Sequence, residues 1–105
     1  MDVQIQRVVD EEELGDQGLH AYRYEYDLYE FSDSLTTYQA RSYVDEPDEV
    51  HFLSKIERTH KERIEHTDLT STLFIEAVKY CQRNGKTRVR YLARTGYVDI
   101  TSSGA

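Results

Sequence analysis

The sequence predicts an α+β domain: an antiparallel β-sheet in the order β-β-β-β-α-β, with room for a short final strand, and one amphipathic helix packed across it. Three observations point there. Apolar and polar residues alternate with period two over 19–31, 36–45, 49–58 and 86–94, the pattern of strands with one buried and one wet face. A single segment, 68–84, instead places Leu69, Leu73, Ala77, Tyr80 and Cys81 at helical spacing, widened by Phe74 and Val78. The chain has 105 residues, the size of one domain with one modest core.

Taken in order, Val3, Ile5 and Val9 alternate with glutamines over 3–9 and make a first strand. Asp10 to Gly18 holds four consecutive acids and two glycines and reads as an acidic, mobile loop. In 19–31, Tyr22, Tyr24, Tyr26 and Leu28 share one face and Arg23, Glu25 and Asp27 the other. The phase then slips at Tyr29 and Phe31, so a bulge near Leu28-Tyr29 is expected to keep all the aromatics on the buried side. Ser32-Asp33-Ser34 is turn chemistry and predicts a hairpin. In 36–45, Tyr38, Ala40, Ser42 and Val44 form the inner face, with Tyr43 opposite. Asp45-Glu46-Pro47-Asp48 breaks the strand, because Pro47 cannot donate a ladder hydrogen bond. The next strand, 49–58, sets Val50, Phe52 and Ile56 against His51, Leu53 and Lys55. Residues 59–67 are polar around Ile64 and read as strand end plus connection. Thr67 or Asp68 is placed to cap the helix, Asn84-Gly85 to end it, and Arg83 to meet the negative end of its dipole. Val89, Tyr91 and Ala93 alternate with Arg88, Arg90, Leu92 and Arg94 after it. Tyr97, Val98 and Ile100 either extend that strand or add a short last one, and 101–105 is small, polar and expected to be mobile.

Composition excludes several classes. The formal charge is −7, so free nucleic acid and anionic membrane surfaces repel the molecule as a whole. No apolar run approaches the ~20 residues that span a bilayer. Met1-Asp2-Val3-Gln4 lacks the basic-then-apolar order of a signal peptide, and a cytoplasmic protein is expected. The one cysteine excludes an internal disulfide framework and a multi-cysteine zinc site. His60 and His66 are six apart, a spacing that suits neither a helical pair nor a finger, so no metal is expected. Cys81 falls on the apolar stripe near the helix C-terminus, where the dipole disfavours a thiolate. Phosphate-cradling glycine loops are lacking. No catalytic residue and no cofactor is predicted, and no motif is specific enough to place the chain in a family.

Two features stand above background: the tyrosines, and the basic row of Arg88, Arg90 and Arg94 with Lys86 along one strand. Nine tyrosines accompany three phenylalanines and no tryptophan. Tyrosine suits half-buried sheets and binding faces alike, since its ring is apolar and its hydroxyl wet. Charge is also split along the chain. Residues 1–50 hold 14 acidic and three basic side chains, and residues 51–105 hold six and ten. An acidic docking face and plain internal pairing both account for that split, and pairing is the commoner arrangement. The reading favoured over an enzyme is a small acidic protein-binding module (inhibitor, immunity or adaptor-like). It would dock a basic protein partner through Tyr43, Glu46 and Asp48. The alternative is a small-ligand binder or enzyme holding an anionic group on Lys86, Arg88, Arg90 and Arg94. A third reading is a homodimer formed by edge-strand pairing, in place of a monomer.

Overall fold

The computed structural model describes residues 1–12 and 22–100. Four long strands run as an antiparallel meander: β1 (Asp2–Glu12), β2 (Tyr22–Ser32), β3 (Thr36–Tyr43) and β4 (Glu49–Glu57). Asp33 forms the β2–β3 hairpin: its Oδ1 accepts from the amides of Leu35 (2.9 Å) and Thr36 (2.8 Å). Those two bonds hold its carboxyl below the ordinary range. Arg58, with φ of 56°, turns the chain into β5 (His60–Glu62), a short strand lying on the second half of β4. That refines the expected connection at 59–67.

A 3-10 turn (His66–Thr70) and helix α1 (Thr72–Arg83) then cross the sheet. They deliver β6 (Arg88–Ala93) beside the first half of β4, and β7 (Gly96–Asp99) closes the far edge. Because a helix carries the chain back across the sheet, β6 enters at the same end as β4 and the two pair in parallel, Val50 opposite Val89 and Phe52 opposite Tyr91. The sheet is therefore mostly antiparallel with one parallel pair, not purely antiparallel. Its order is β1-β2-β3-β4-β6-β7, with β5 also on β4. Among the described residues no helix is long and apolar enough to cross a membrane.

The core lies between α1 and one face of the sheet. Phe31, Tyr38, Phe52 and Phe74 are buried rings, Phe74 packing edge-on against Tyr38 at 5.1 Å and tilted against Phe52 at 4.8 Å. Leu73, Ala77, Val78 and Cys81 complete the helix side, as the helical stripe predicts. The phase of β2 differs from expectation. Its register runs unbroken against both β1 and β3, so there is no bulge at Leu28-Tyr29. Tyr29 and Phe31 are the core residues, and Tyr24, Tyr26 and Leu28 point to the other face. The bulge sits in β4 instead. Gln39 opposes Ser54 while Ala40 opposes Phe52, leaving Leu53 as the extra residue. Beyond it the alternation inverts: Lys55 faces the helix side opposite Tyr38, and Ile56, expected beside Phe52, faces away opposite Thr37.

Helix ends also differ in part. Ser71, not Thr67 or Asp68, caps α1, its Oγ accepting from the Phe74 amide at 3.2 Å. The end at Asn84-Gly85 is as expected: Gly85 takes φ of 86°, and the amides of Gly85 and Lys86 reach the carbonyls of Gln82 and Cys81. Asp10 to Glu12 continue β1 rather than opening a loop. The rest of the expected acidic loop, and 101–105, lie outside the described residues.

Phe74→Ala should lower unfolding free energy by about 3–5 kcal/mol, as ring removal from a packed core does. Ile75→Ala, on the exposed side of the same turn, should change it by less than about 0.5 kcal/mol. Urea denaturation of both variants checks the assigned face.

Candidate functional site

Helix α1 shelters one face of the sheet. The opposite face has no described element over it. At the end of the sheet next to the 44–48 turn, this face gathers aromatic and cationic side chains from five strands. Tyr24 and Tyr26 come from β2, Arg41 and Tyr43 from β3, His51 from β4, Arg90 from β6 and Tyr97 from β7. Register puts Tyr26 opposite Tyr43, Arg41 opposite His51 and His51 opposite Arg90.

Arg41 is the centre of the cluster. Its guanidinium lies 4.9 Å from the Tyr43 ring centroid and 5.5 Å from that of Tyr26, and Nη2 donates to the Tyr97 hydroxyl at 3.3 Å. Tyr43 in turn packs against Tyr24 (5.9 Å) and edge-on against Tyr26 (5.6 Å). Tyr97 packs against His51 with the rings tilted by 39° and their centroids 4.6 Å apart. The buried Arg41 Nε and His51 Nδ1 have no hydrogen-bond partner among the described residues. Ring faces, not acceptors, therefore hold most of the guanidinium, a cation–π arrangement that strengthens as water is excluded. Burial raises the Tyr43 hydroxyl pKa above its ordinary value.

Beside the cluster lies a charged knot. Glu49 is buried yet ionised. It meets His51 Nε2 at 3.0 Å, Arg90 Nη1 at 3.3 Å and Arg88 Nη1 at 3.7 Å. Hydrogen bonding to His51 and Glu46, with the charge of Arg88, outweighs burial and pulls its carboxyl from the ordinary 4.5 to about 2. The same hydrogen bond and the negative charge of Glu49 push Glu46 upward. Arg90 is held from its other side by Asp99 at 2.7 Å.

The residues singled out in sequence fall as follows. Tyr43 is half-buried within the ring cluster, and Glu46 and Asp48 are exposed in the turn that follows it. The three are neighbours along the chain at the turn from β3 to β4, where the Glu46 amide donates to the Tyr43 carbonyl at 3.0 Å. Lys86 donates to the Pro47 carbonyl at 2.6 Å. Arg88 and Arg90 flank Glu49, whereas Arg94 lies past the end of β6 in an exposed turn. A depression of about 210 Å³ adjoins Arg88, Arg90 and Asp99, so an anion entering it would compete with the Asp99 carboxylate for Arg90. Sequence reasoning missed Tyr24, Tyr26, Arg41, His51 and Tyr97. For the first two the signal was present: the phase slip in β2 marks two aromatic faces, not one with a bulge.

His60 and His66 are exposed, and among the described residues no three His, Cys, Asp or Glu side chains are grouped to hold a metal ion. Cys81 is 1% exposed, and burial pushes its thiol up to about 12. Comparison of the chain with family models, curated proteins and solved structures returns no match.

Two outcomes follow from these charges. The folded-state pKa of Glu49 is depressed, so its contribution to stability is present above the unfolded value near 4.5 and is lost as pH falls through about 2. The melting temperature of Glu49→Gln should lie below that of the wild type at neutral pH, and the gap should close through that acid window, as thermal scans from pH 7 to 2 will read. Cys81 should react with an aromatic disulfide reagent only at the rate of unfolding, so labelling should accelerate on adding urea and not on raising pH from 7 to 8.

Proposed function

We propose that the chain is a protein-binding module, of the inhibitor, immunity or adaptor kind, that receives a basic partner surface on its uncovered sheet face. The observation that carries this reading is a preorganised aromatic patch beside an acidic turn. Tyr24 is 50% and Tyr97 43% exposed, yet both are fixed by neighbours, Tyr24 by Tyr43 and Tyr97 by His51 and Arg41. Rigid tyrosines offer large contact area at little entropic cost on binding. Asp45, Glu46 and Asp48 are exposed at the edge of the patch, and the net charge of −7 adds a long-range field that steers a cationic surface toward them. The roles divide accordingly: the turn accelerates encounter, and the rings slow departure.

The experiment compares the immobilised wild-type chain with Glu46→Lys/Asp48→Lys and with Tyr24→Ala, each first shown to be folded by circular dichroism. Proteins retained from a lysate of the source cells by the wild type should include a basic one that is lost with the variants. With that protein purified, the double charge reversal should lower the association rate and flatten its dependence on salt. Tyr24→Ala should raise the dissociation rate by about tenfold, the equivalent of 1.4 kcal/mol. Equal retention of every protein by all three chains, or salt-insensitive association, would overturn the reading.

A further inference from the structure

A second interaction surface lies at the opposite edge of the sheet, independent of the tyrosine face. β1 is 11 residues long, and its register against β2 is continuous. No described strand pairs its outer side. Edge strands are ordinarily shortened, bulged, broken by proline or guarded by an outward lysine. β7, at the other edge, is only four residues long. β1 is neither short, bulged nor broken by proline, and apart from the acids at its two ends it carries one charge, on the helix-side face. Its single cation, Arg7, is folded back onto its own sheet, with Nη1 2.6 Å from Glu25 and Nε 2.6 Å from Asp27. On the same face Ile5 is 52% and Val9 45% exposed, although Val3, nearer the helix, packs against the core.

We infer that β1 pairs antiparallel with β1 of a second copy, about a two-fold axis at Ile5. The sequence of the strand selects that register. Side chains of paired residues point to the same face, so a two-fold axis through Ile5 sets Ile5 against Ile5 of the other copy, Val3 against the stem of Arg7, Gln4 against Gln6 and Asp2 against Val8. The face that carries the helices then gains an apolar strip from both copies, and the other face gains paired glutamine amides. No like charges oppose one another. A two-fold axis at Gln6 instead puts Asp2 against Asp10. At Arg7 it puts the arginines against each other and Asp2 against Glu12. Axes farther along draw the two Asp10–Glu12 runs together, and at Val8 Ile5 would oppose Glu11. In the chosen register Asp10 to Glu12 fall past the end of the partner's strand. The result is one sheet continuous through both copies, which removes the longest open edge.

The test uses the full chain in sedimentation equilibrium over a concentration series reaching about 200 µM, enough to populate a dimer with a Kd on the order of 10 µM. Mass should double with concentration, and Ile5→Lys, which sets two ammonium groups face to face, should stay monomeric while melting as the wild type does in dilute solution, where both are monomers. A second readout does not depend on that variant. Ile5→Cys should cross-link between copies under mild oxidation about tenfold faster than Val9→Cys, because only position 5 meets itself across the axis and buried Cys81 does not compete. A monomeric mass throughout the series, a dimer that survives Ile5→Lys, or equal cross-linking at 5 and 9 would overturn the inference. Binding of an extended basic peptide at β1 by a chain that remains monomeric would do the same.

Discussion

Helix α1 has 12 residues and is therefore about 18 Å long. The sheet it covers is six strands across, about 24 Å between the outer strands at the usual spacing of about 4.8 Å, and its longest strands run well past the helix. One helix cannot shelter such a sheet. Where it does lie, aromatic and aliphatic side chains interlock in a dry core. Elsewhere on the same face the sheet closes with charge, as Arg7, Glu25 and Asp27 do. On the far face, rings and guanidinium groups cover one another. The tyrosine–arginine cluster is thus a consequence of architecture: side chains there must be content both in water and against protein, and tyrosine and arginine meet that demand.

Where the helix lies is set by one residue of β4. The bulge at Leu53 turns Lys55 to the helix side, beneath the 3-10 turn. There its Nζ donates to Asp68 Oδ1 at 2.9 Å, and the Tyr38 hydroxyl donates to the same atom at 3.0 Å. Asp68 Oδ2 accepts from the Glu65 amide at 2.8 Å. Burial pushes the Asp68 carboxyl up, but that amide, Lys55 and Tyr38 outweigh burial and hold it below the ordinary range. Burial also pushes the Tyr38 hydroxyl up to about 12, which keeps it a donor. A buried ion pair adds little net stability, since desolvation cancels much of its attraction. Its effect here is positional: with every acceptor and donor matched, the turn has one place to sit on the sheet, and Ser71, three residues on, starts α1 from that point.

Much of this could be read from the chain, and the misreadings share a cause. The helical stripe from Leu73 to Cys81, the inward Val50 and Phe52, the Asp33 turn and the Gly85 end all follow from local chemistry, because apolar side chains and φ-demanding positions admit one reading. Tyrosine admits two. Treating Tyr24 and Tyr26 as core forced a bulge into β2, when the same residues are at ease on the open face. The bulge at Leu53 is invisible in sequence because Leu53, Ser54 and Lys55 alternate plausibly either way, and only the pairing with Gln39 and Ala40 decides. The candidate site was partly legible for the same reason. Tyr43, Glu46 and Asp48 are neighbours in the chain, whereas Arg41, His51 and Tyr97 meet only because β4 pairs with β6 and β6 with β7.

The parallel pairing of β4 with β6 also resolves part of the charge asymmetry. It brings the end of the acidic half against the start of the last basic strand. Glu49 then lies within reach of Arg88 and Arg90, and Lys86 caps the Pro47 carbonyl. Three of the four cations that seem in sequence to form a free row, all but Arg94, are thus drawn into holding the sheet together. The acidic turn is left differently. The Glu46 carboxyl lies against that of Glu49, which pushes its pKa up, and Glu46, Asp45 and Asp48 are all exposed. Internal pairing thus engages Lys86, Arg88 and Arg90 at this corner, while Asp45, Glu46 and Asp48 stay exposed beside a tyrosine cluster whose own cation, Arg41, is held by ring faces.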